Sequence, residues 1–273
     1  MPDLPFTPQL FAILSALIEE RTGIHYSLED KDLLGDKLSS RAAEAGFDSL
    51  LDYYYVLRYD PASQTEFDAL IDALVVGETY FFRELPALQV LAAEFLAQAC
   101  ASGRARVWSA ACATGEEPLT LAMLLAEQNL LDRVEIVASD ISLRSLDRAR
   151  AGIYGRRAVR DAPPPQLVLR WLREAGGRWE TPPDLRQSVT FRRVNLTDDA
   201  QVSALGSFNA ILCRNVLIYY SEATARQVVE RLARALVPGG ILLVGVSESL
   251  LRFSTTLACE EHRGVFVYRK PGP

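Results

Sequence analysis

Glu116 and Glu117 stand directly behind Gly115 in the run Val107-Trp-Ser-Ala-Ala-Cys-Ala-Thr-Gly-Glu-Glu-Pro118, where an apolar stretch passes through small residues into a helix start. Small side chains let backbone approach a ligand closely, and proline with acids in a first turn marks a helix beginning. With one glycine the run is not the dinucleotide fingerprint, and its acids would repel a pyrophosphate seeking bare helix N-terminal amides. They suit a cationic group, an ammonium or a sulfonium. A well-capped helix with two solvated glutamates is the alternative, and this run alone leaves both open. Asp140 ends the next apolar run, Val137-Ala-Ser-Asp140. A carboxylate at the carboxyl edge of a parallel sheet lies where ligands of open α/β sheets bind, and it can accept both hydroxyls of a ribose. Capping the following helix is a compatible second role.

Two further segments combine polar and apolar residues in a way that invites chemistry. Gly77-Glu-Thr-Tyr-Phe-Phe-Arg83 sets an aromatic cluster beside an arginine; composition alone favours a hydrophobic seal between domains. Phe208-Asn-Ala-Ile-Leu-Cys-Arg-Asn-Val-Leu-Ile-Tyr-Tyr220 reads as a buried strand ending in the polar pair Arg214-Asn215, which is costly to bury unless it binds something. Histidine-based chemistry has little to draw on, since His25 and His262 are the only two. Cys100, Cys112, Cys213 and Cys259 are scattered, which fits neither a zinc site nor a disulfide framework and makes them buried small apolar side chains. No metal is expected.

The elements that must position these residues follow from periodicity. From Phe6 to about Val76 the pattern is helical, with Leu10, Ile13, Leu14, Leu17 and Ile18 on one stripe, and breaks at Thr22-Gly23, Gly46 and Asp60-Pro61 divide it into about four helices. After a helix at about Pro86 to Ala101, short apolar runs at Val107 to Ala111, Val134 to Ala138, Ala210 to Cys213 and Ile241 to Val246 alternate with amphipathic helices, the signature of a parallel sheet. Leu257 to Glu261 and Gly264 to Tyr268 flank a turn, so an antiparallel hairpin should close the sheet. Between Arg156 and Val194 the alternation is interrupted by Ala162-Pro163-Pro164-Pro165, Gly176-Gly177 and Pro182-Pro183, which reads as a small inserted β element over about 162–194.

The 273 residues, 49% hydrophobic and 23% charged, are enough for one large domain or a large and a small one, with no case for disorder. The net charge of −6 argues against nucleic acid as a partner. Its distribution is uneven: residues 1–76 hold five basic and fourteen acidic side chains, a balance of −9, whereas 141–193 hold twelve arginines and five acids, a balance of +7. The latter could attract an acidic partner, or both could be solvated faces. No apolar stretch reaches the ~18 residues of a membrane span, and Met1 to Leu10 has no basic-then-apolar leader pattern, so a cytoplasmic protein without membrane insertion is expected. A monomer is expected too, no long apolar face being left over.

Thr79 to Arg83 (TYFFR), Trp108 to Pro118 (WSAACATGEEP), Ala138 to Ile141 (ASDI), Ala149 to Tyr154 (ARAGIY), Val194 to Leu196 (VNL) and Cys213 to Tyr219 (CRNVLIY), in this order and spacing, resemble the CheR family of chemotaxis protein-glutamate O-methyltransferases. The resemblance runs from about Gly23 to Tyr268. It implies an α/β fold: a Rossmann-type class I methyltransferase domain over 77–273 with a small inserted β-subdomain, preceded by a small all-α N-terminal domain over 1–76. The implied cofactor is S-adenosyl-L-methionine, released as S-adenosyl-L-homocysteine. The implied activity is formation of γ-glutamyl methyl esters on chemoreceptor glutamates.

Carried over by position, the resemblance implies that Thr79, Arg83, Glu117 and Asp140 contact the cofactor, Asp140 through the ribose. Asn195 with Leu196 and Asn215 with Val216 would bracket its adenine side, and Arg83 and Tyr219 would be catalytic, pointing at the reacting methyl group. The implied partners are the cytoplasmic helices of chemoreceptors or chemoreceptor-like proteins, with a receptor tail as a candidate ligand of the β-subdomain. Three positions depart from the family pattern: Gly77 where a polar residue is frequent, Leu119 where a tyrosine is, and Ser142 where a second acid is. The family's N-terminal domain presents basic residues to acidic receptor helices, and in this acidic segment only Lys37 and Arg41 remain as an obvious pair. A catalytically silent cofactor-binding module and a methyltransferase for another acceptor are the competing readings; retention of Arg83, Glu117, Asp140 and Tyr219 argues against the first.

Overall fold

The leucine-rich stripe at the start of the chain folds as α1 (Pro8–Thr22), entered through Thr7, whose hydroxyl accepts the Leu10 amide, and left through Gly23 at φ 80°. The computed structural model describes residues 6–161, 163–253 and 255–272. Of the expectations above, those resting on Met1–Pro5 and on Ala162 lie outside the described residues. The chain divides into two compact units, residues 6–76 with Tyr219–Thr224, and residues 77–218 with 225–272. Tyr219–Thr224, expected with the second domain, thus groups with the first: the His25 amide donates to the Tyr219 carbonyl at 2.9 Å, and Ile24 pairs with Tyr220 in an isolated bridge.

The first unit continues with α2 (Lys31–Glu44), α3 (Leu50–Tyr59) and α4 (Gln64–Leu74). Each turns a few apolar side chains inward: Leu34 and Leu38, Leu50 and Leu57, Phe67, Leu70 and Leu74 are at most 2% exposed. Each fully buried leucine contributes about 2 kcal/mol of transfer free energy. Among them lies one polar cluster, in which Arg41 donates to Glu66 at 2.8 and 2.6 Å and the Tyr53 hydroxyl donates to the same carboxylate at 2.6 Å.

The second unit opens with α5 (Leu85–Val90), a π-helical turn over Leu91–Leu96 and α6 (Ala97–Ala101). A sheet follows: β1 (Ala105–Ala110), α7 (Glu116–Glu127), β2 (Val134–Asp140) and α8 (Leu143–Ala151). The chain then makes β3 (Ile153–Tyr154), α9 (Pro165–Trp171), β4 (Arg173–Ala175), β5 (Arg178–Glu180) and α10 (Pro183–Gln187) before returning to the sheet as β6 (Val189–Arg193). It ends with α11 (Asp199–Ser203), β7 (Phe208–Cys213), α12 (Glu222–Ala235), β8 (Leu236–Val244), β9 (Ala258–His262) and β10 (Val265–Arg269).

The seven-stranded sheet has the order β6-β2-β1-β7-β8-β10-β9, parallel through β8 and antiparallel at β10 and β9. This is the doubly wound α/β arrangement, with β1 at the point where strand order reverses between β2 on one side and β7 on the other. Among the described residues no helix is long and apolar enough to cross a membrane.

Two expectations change. β6 belongs to the main sheet, where Ile136 to Asp140 pair with Val189 to Arg193, so the inserted element is not 162–194. The small sheet is β3-β5-β4, which draws in Ile153–Tyr154 from before the prolines and leaves out everything after α10. β8 likewise starts earlier than Ile241, because the Gly239 amide donates to the Lys270 carbonyl and the Lys270 amide to that of Gly240. Pairing beyond the end of β10 thereby pulls the Pro-Gly-Gly turn into the ladder. Cys100, Cys112 and Cys213 are buried as expected, whereas Cys259 is exposed on the edge strand β9.

Candidate functional site

The turn from β1 into α7 holds Ala111 at φ 58°, Ala113 at φ 47° and Gly115 at φ 90°. Positive φ at two alanines stores strain that persists only where the surroundings over-determine it. Here the Cys112 amide donates to the Ser139 carbonyl at 2.8 Å and the Ala113 amide to Asp140 Oδ2 at 2.9 Å. Gly115 is required by packing as well, since a Cβ there would stand 2.8 Å from Cβ of Ala149 on α8.

The two acids after this turn separate. Glu116 is 3% exposed, receives the Thr114 hydroxyl at 2.6 Å, and has its pKa pushed up to about 7 by burial. It belongs to the interior. Glu117 takes the other direction: its carboxylate accepts the Ser109 hydroxyl at 2.7 Å and Arg214 Nη1 at 2.8 Å. Neither glutamate is solvated as the capped-helix reading required.

Arg214 answers the question its burial raised. Its side chain is 2% exposed and bridges Glu117 and Glu84, the latter at 2.9 Å, while Nη2 also donates to the backbone carbonyl of Arg83 at 3.0 Å. Burial works against its charge, but Glu117 and then Glu84 outweigh it, and the guanidinium pKa lies above its ordinary value. One side chain thus ties β7 to the first turn of α7 and to the segment after Phe82. That segment is strained too, with Phe82 at φ 67° and Glu84 at φ 49°, and is pinned by the Phe82 amide donating to the Thr120 hydroxyl at 3.2 Å.

Asp140, 8% exposed at the end of β2, accepts the amides of Ala113 and Ser142 at 2.9 Å each, one on each oxygen. The helix cap expected of it is made instead by Ser142, whose hydroxyl accepts the Ser145 amide at 3.0 Å. Asn195 and Leu196 follow β6; the Asn195 side-chain oxygen closes a turn by accepting the Thr197 amide and hydroxyl at 3.0 and 2.8 Å, and the Leu196 side chain is buried. Asn215 and Val216 follow β7. Glu117, Asp140, Asn195 and Asn215 therefore lie at or beyond the carboxyl ends of four neighbouring strands, β1, β2, β6 and β7, where an α/β sheet binds its ligand.

Arg83 donates to the Glu78 carbonyl at 3.1 Å and lies 5.8 Å from the Tyr80 ring centroid; Arg160 lies 4.1 Å from the same ring and pairs with Glu78 at 2.5 Å. Phe81 and Phe82 are buried in the core of the sheet unit, and Thr79 is half-buried beside them in sequence. Tyr219 belongs to the helical unit, where its backbone is held as described. In that unit neither expected docking cation is free: Lys37 donates to the Leu74 carbonyl at 2.8 Å, half-buried with its pKa lowered by desolvation, and Arg41 is committed to Glu66.

One residue escaped the sequence reading. Glu248, four positions past the end of β8, accepts the amides of Asn215, Val216, Leu217 and Gly245 at 2.6 to 2.9 Å. Its only signal in the sequence is an acid among small polar residues, Ser247-Glu248-Ser249.

Residues 77–265 match the family described as CheR methyltransferase, SAM binding domain, and residues 9–75 match CheR methyltransferase, all-alpha domain. The chain is 35% identical over 277 residues to chemotaxis protein methyltransferase 2 of Vibrio cholerae, covering 99% of this chain and 96% of that one. It is 33% identical over 250 residues to chemotaxis protein methyltransferase 1 of Pseudomonas aeruginosa, covering 88% and 90%. The site's chemistry fits the cofactor these matches imply. Glu84 and Glu117, with side chains 17 and 15% exposed, share the one guanidinium of Arg214, 2% exposed, so this trio carries a net negative charge. S-adenosylmethionine, with an ammonium and a sulfonium against one carboxylate, carries the net positive charge that complements it. The chain belongs to the CheR methyltransferase family, and its cofactor is S-adenosyl-L-methionine.

Proposed function

We propose that the protein is a protein-glutamate O-methyltransferase that forms γ-methyl esters on glutamates of a chemoreceptor or chemoreceptor-like signalling protein in the cytoplasm. The observation that carries this reading is the similarity to chemotaxis protein methyltransferases along nearly the whole chain, helical unit included. The cofactor supplies an electrophilic methyl group. A substrate glutamate is already ionised at neutral pH, so no general base is needed, which agrees with a site built without histidine. Orientation and exclusion of water then supply most of the acceleration.

In this reading Glu117 meets the cationic end of the cofactor, Asp140 the ribose hydroxyls, and Asn195, Leu196, Asn215 and Val216 the adenine side, with Thr79 and Arg83 completing the contacts. Arg83 is the catalytic candidate that aims the substrate carboxylate, and Tyr219 is the second catalytic candidate. The acceptor docks without Lys37 and Arg41, both engaged inside the helical unit. The β-subdomain, with β4 as an exposed edge of its sheet, is a candidate seat for a receptor tail.

Calorimetric titration with S-adenosylhomocysteine, followed by radiolabel transfer from S-adenosylmethionine onto chemoreceptor-containing membranes, tests the proposal. Binding with base-labile label on the receptor is expected. Binding without such label transfers the assignment to another acceptor, and Asp140→Ala should lose the binding altogether.

A further inference from the structure

Glu248 is 6% exposed and belongs to no helix or strand, yet its carboxylate accepts four backbone amides. Oε1 accepts the amides of Val216 and Leu217 at 2.9 and 2.8 Å; Oε2 accepts those of Asn215 and Gly245 at 2.6 and 2.9 Å. An ionised carboxylate offers about four acceptor positions, so all are taken by backbone. Three of the four donors are consecutive residues converging on one anion, the arrangement that elsewhere makes an anion-binding nest. Here the chain supplies its own anion.

The segment so held is not relaxed. Asn215 sits at φ 58°, in the left-handed region, which an asparagine tolerates but which needs surroundings that enforce it. The enforcement is close: a Cβ on Gly245 would stand 2.7 Å from Asn215 Nδ2 and 2.9 Å from Glu248 Oε2. Glycine at 245 is what allows the strand end, the asparagine and the glutamate to meet. Arg214, the residue immediately before, is locked by Glu84 and Glu117, so the segment is fixed at one end by a buried ion pair and along its length by Glu248.

We propose that Glu248 is a positioning residue for cofactor binding: by neutralising the converging amides it fixes Asn215 and Val216 in the conformation that receives the adenine side. The inference rests on the assignment of these two residues made above. It requires a carboxylate and not merely a polar side chain. Glutamine would keep one accepting oxygen and turn an NH2 donor against two of the four amides.

The test is titration of the full-length protein with S-adenosylhomocysteine and with adenosine, comparing wild type with Glu248→Gln and Gly245→Ala. The second variant keeps the glutamate but presses a methyl group on both Asn215 Nδ2 and Glu248 Oε2, disturbing the same contact from the other side, and so decides the matter where the first lowers the folded yield. Both variants should weaken S-adenosylhomocysteine and adenosine in parallel, by tenfold or more. Glu117→Gln should instead weaken S-adenosylhomocysteine and leave adenosine within about threefold. In turnover, KM for the cofactor should rise with kcat held within about threefold, and amide exchange at 215–217 should accelerate. Undiminished affinity in both folded variants, or a fall in kcat at constant KM, overturns the inference alone. Failure of the wild type to bind either ligand overturns the site assignment and this inference with it.

Discussion

Arg214 and Glu117 lie 97 residues apart in the chain and meet at 2.8 Å with the arginine side chain 2% exposed. A buried pair gains little over an apolar substitute, but removing one partner leaves the other charge stranded at a cost of about 3 to 5 kcal/mol. Arg214 has two partners to strand, Glu84 as well as Glu117. Arg214→Met should therefore lower the melting temperature by about 10 °C, given about 2 to 4 °C per kcal/mol in a domain of this size. Adding Glu84→Gln should return part of the loss, because one of the two stranded carboxylates is then neutral. Thermal melts of the three proteins decide it, and a single variant that melts within 2 °C of wild type would show the pair to be dispensable.

Glu116 supplies a pH dependence. In the unfolded chain it titrates at the ordinary glutamate value of 4.5 and in the folded one at about 7, raised by burial. Between those values the folded state holds the extra proton, so this residue's contribution falls as pH rises through the window and stays low above it. The shift corresponds to about 3 kcal/mol. Glu116→Gln keeps an acceptor for the Thr114 hydroxyl and cannot ionise. The variant should melt about 5 to 10 °C above wild type at pH 8 and close to it at pH 5. Equal gains at both pH values would mean that something other than ionisation separates the two proteins.

How far residues could be read without coordinates depended on whether their partners were neighbours in sequence. β1, β2 and β7 were legible as apolar runs because both their faces are buried, and the acids after β1 and at the end of β2 were legible as lying at the carboxyl edge of the sheet. Glu116 and Glu117 looked alike, yet adjacent helical positions differ by about 100°, which sends one inward and the other to Arg214. β6 was grouped with the prolines beside it, since nothing local betrays that its ladder partner is about fifty residues upstream. Glu248 was invisible because its partners are backbone amides, three of them 31 to 33 residues away, and any sequence has amides.

Arg83 separates binding from chemistry. Its backbone is fixed by Arg214 through the carbonyl, while its guanidinium donates to the Glu78 carbonyl at 3.1 Å and is only half-buried. Arg83→Lys keeps the charge but loses the planar fork that matches a carboxylate. The expected result is a kcat reduced about a hundredfold, with S-adenosylhomocysteine affinity changed by less than about tenfold and an unchanged melting temperature. A variant that turns over within threefold of wild type would remove Arg83 from the catalytic assignment.

Arg41 distinguishes a docking residue from a structural one. On sequence it and Lys37 were the basic pair of an otherwise acidic unit, but Arg41 makes two bonds to Glu66, and the Tyr53 hydroxyl makes a third to the same carboxylate. Burial opposes the charge of Glu66, and the bonds from Arg41 and Tyr53 still hold its pKa below the usual carboxylate value. Bonds to charged groups contribute about 1.5 to 3 kcal/mol, so Arg41→Ala should destabilise the helical unit by about 2 kcal/mol. Because that guanidinium is spent inside the unit, methyl transfer per folded molecule at low temperature should stay within about twofold of wild type. Urea unfolding and initial transfer rates on the same preparation separate the two roles: a stable variant with impaired transfer would return Arg41 to the docking surface, and an unstable one with normal transfer leaves acceptor recognition to other residues.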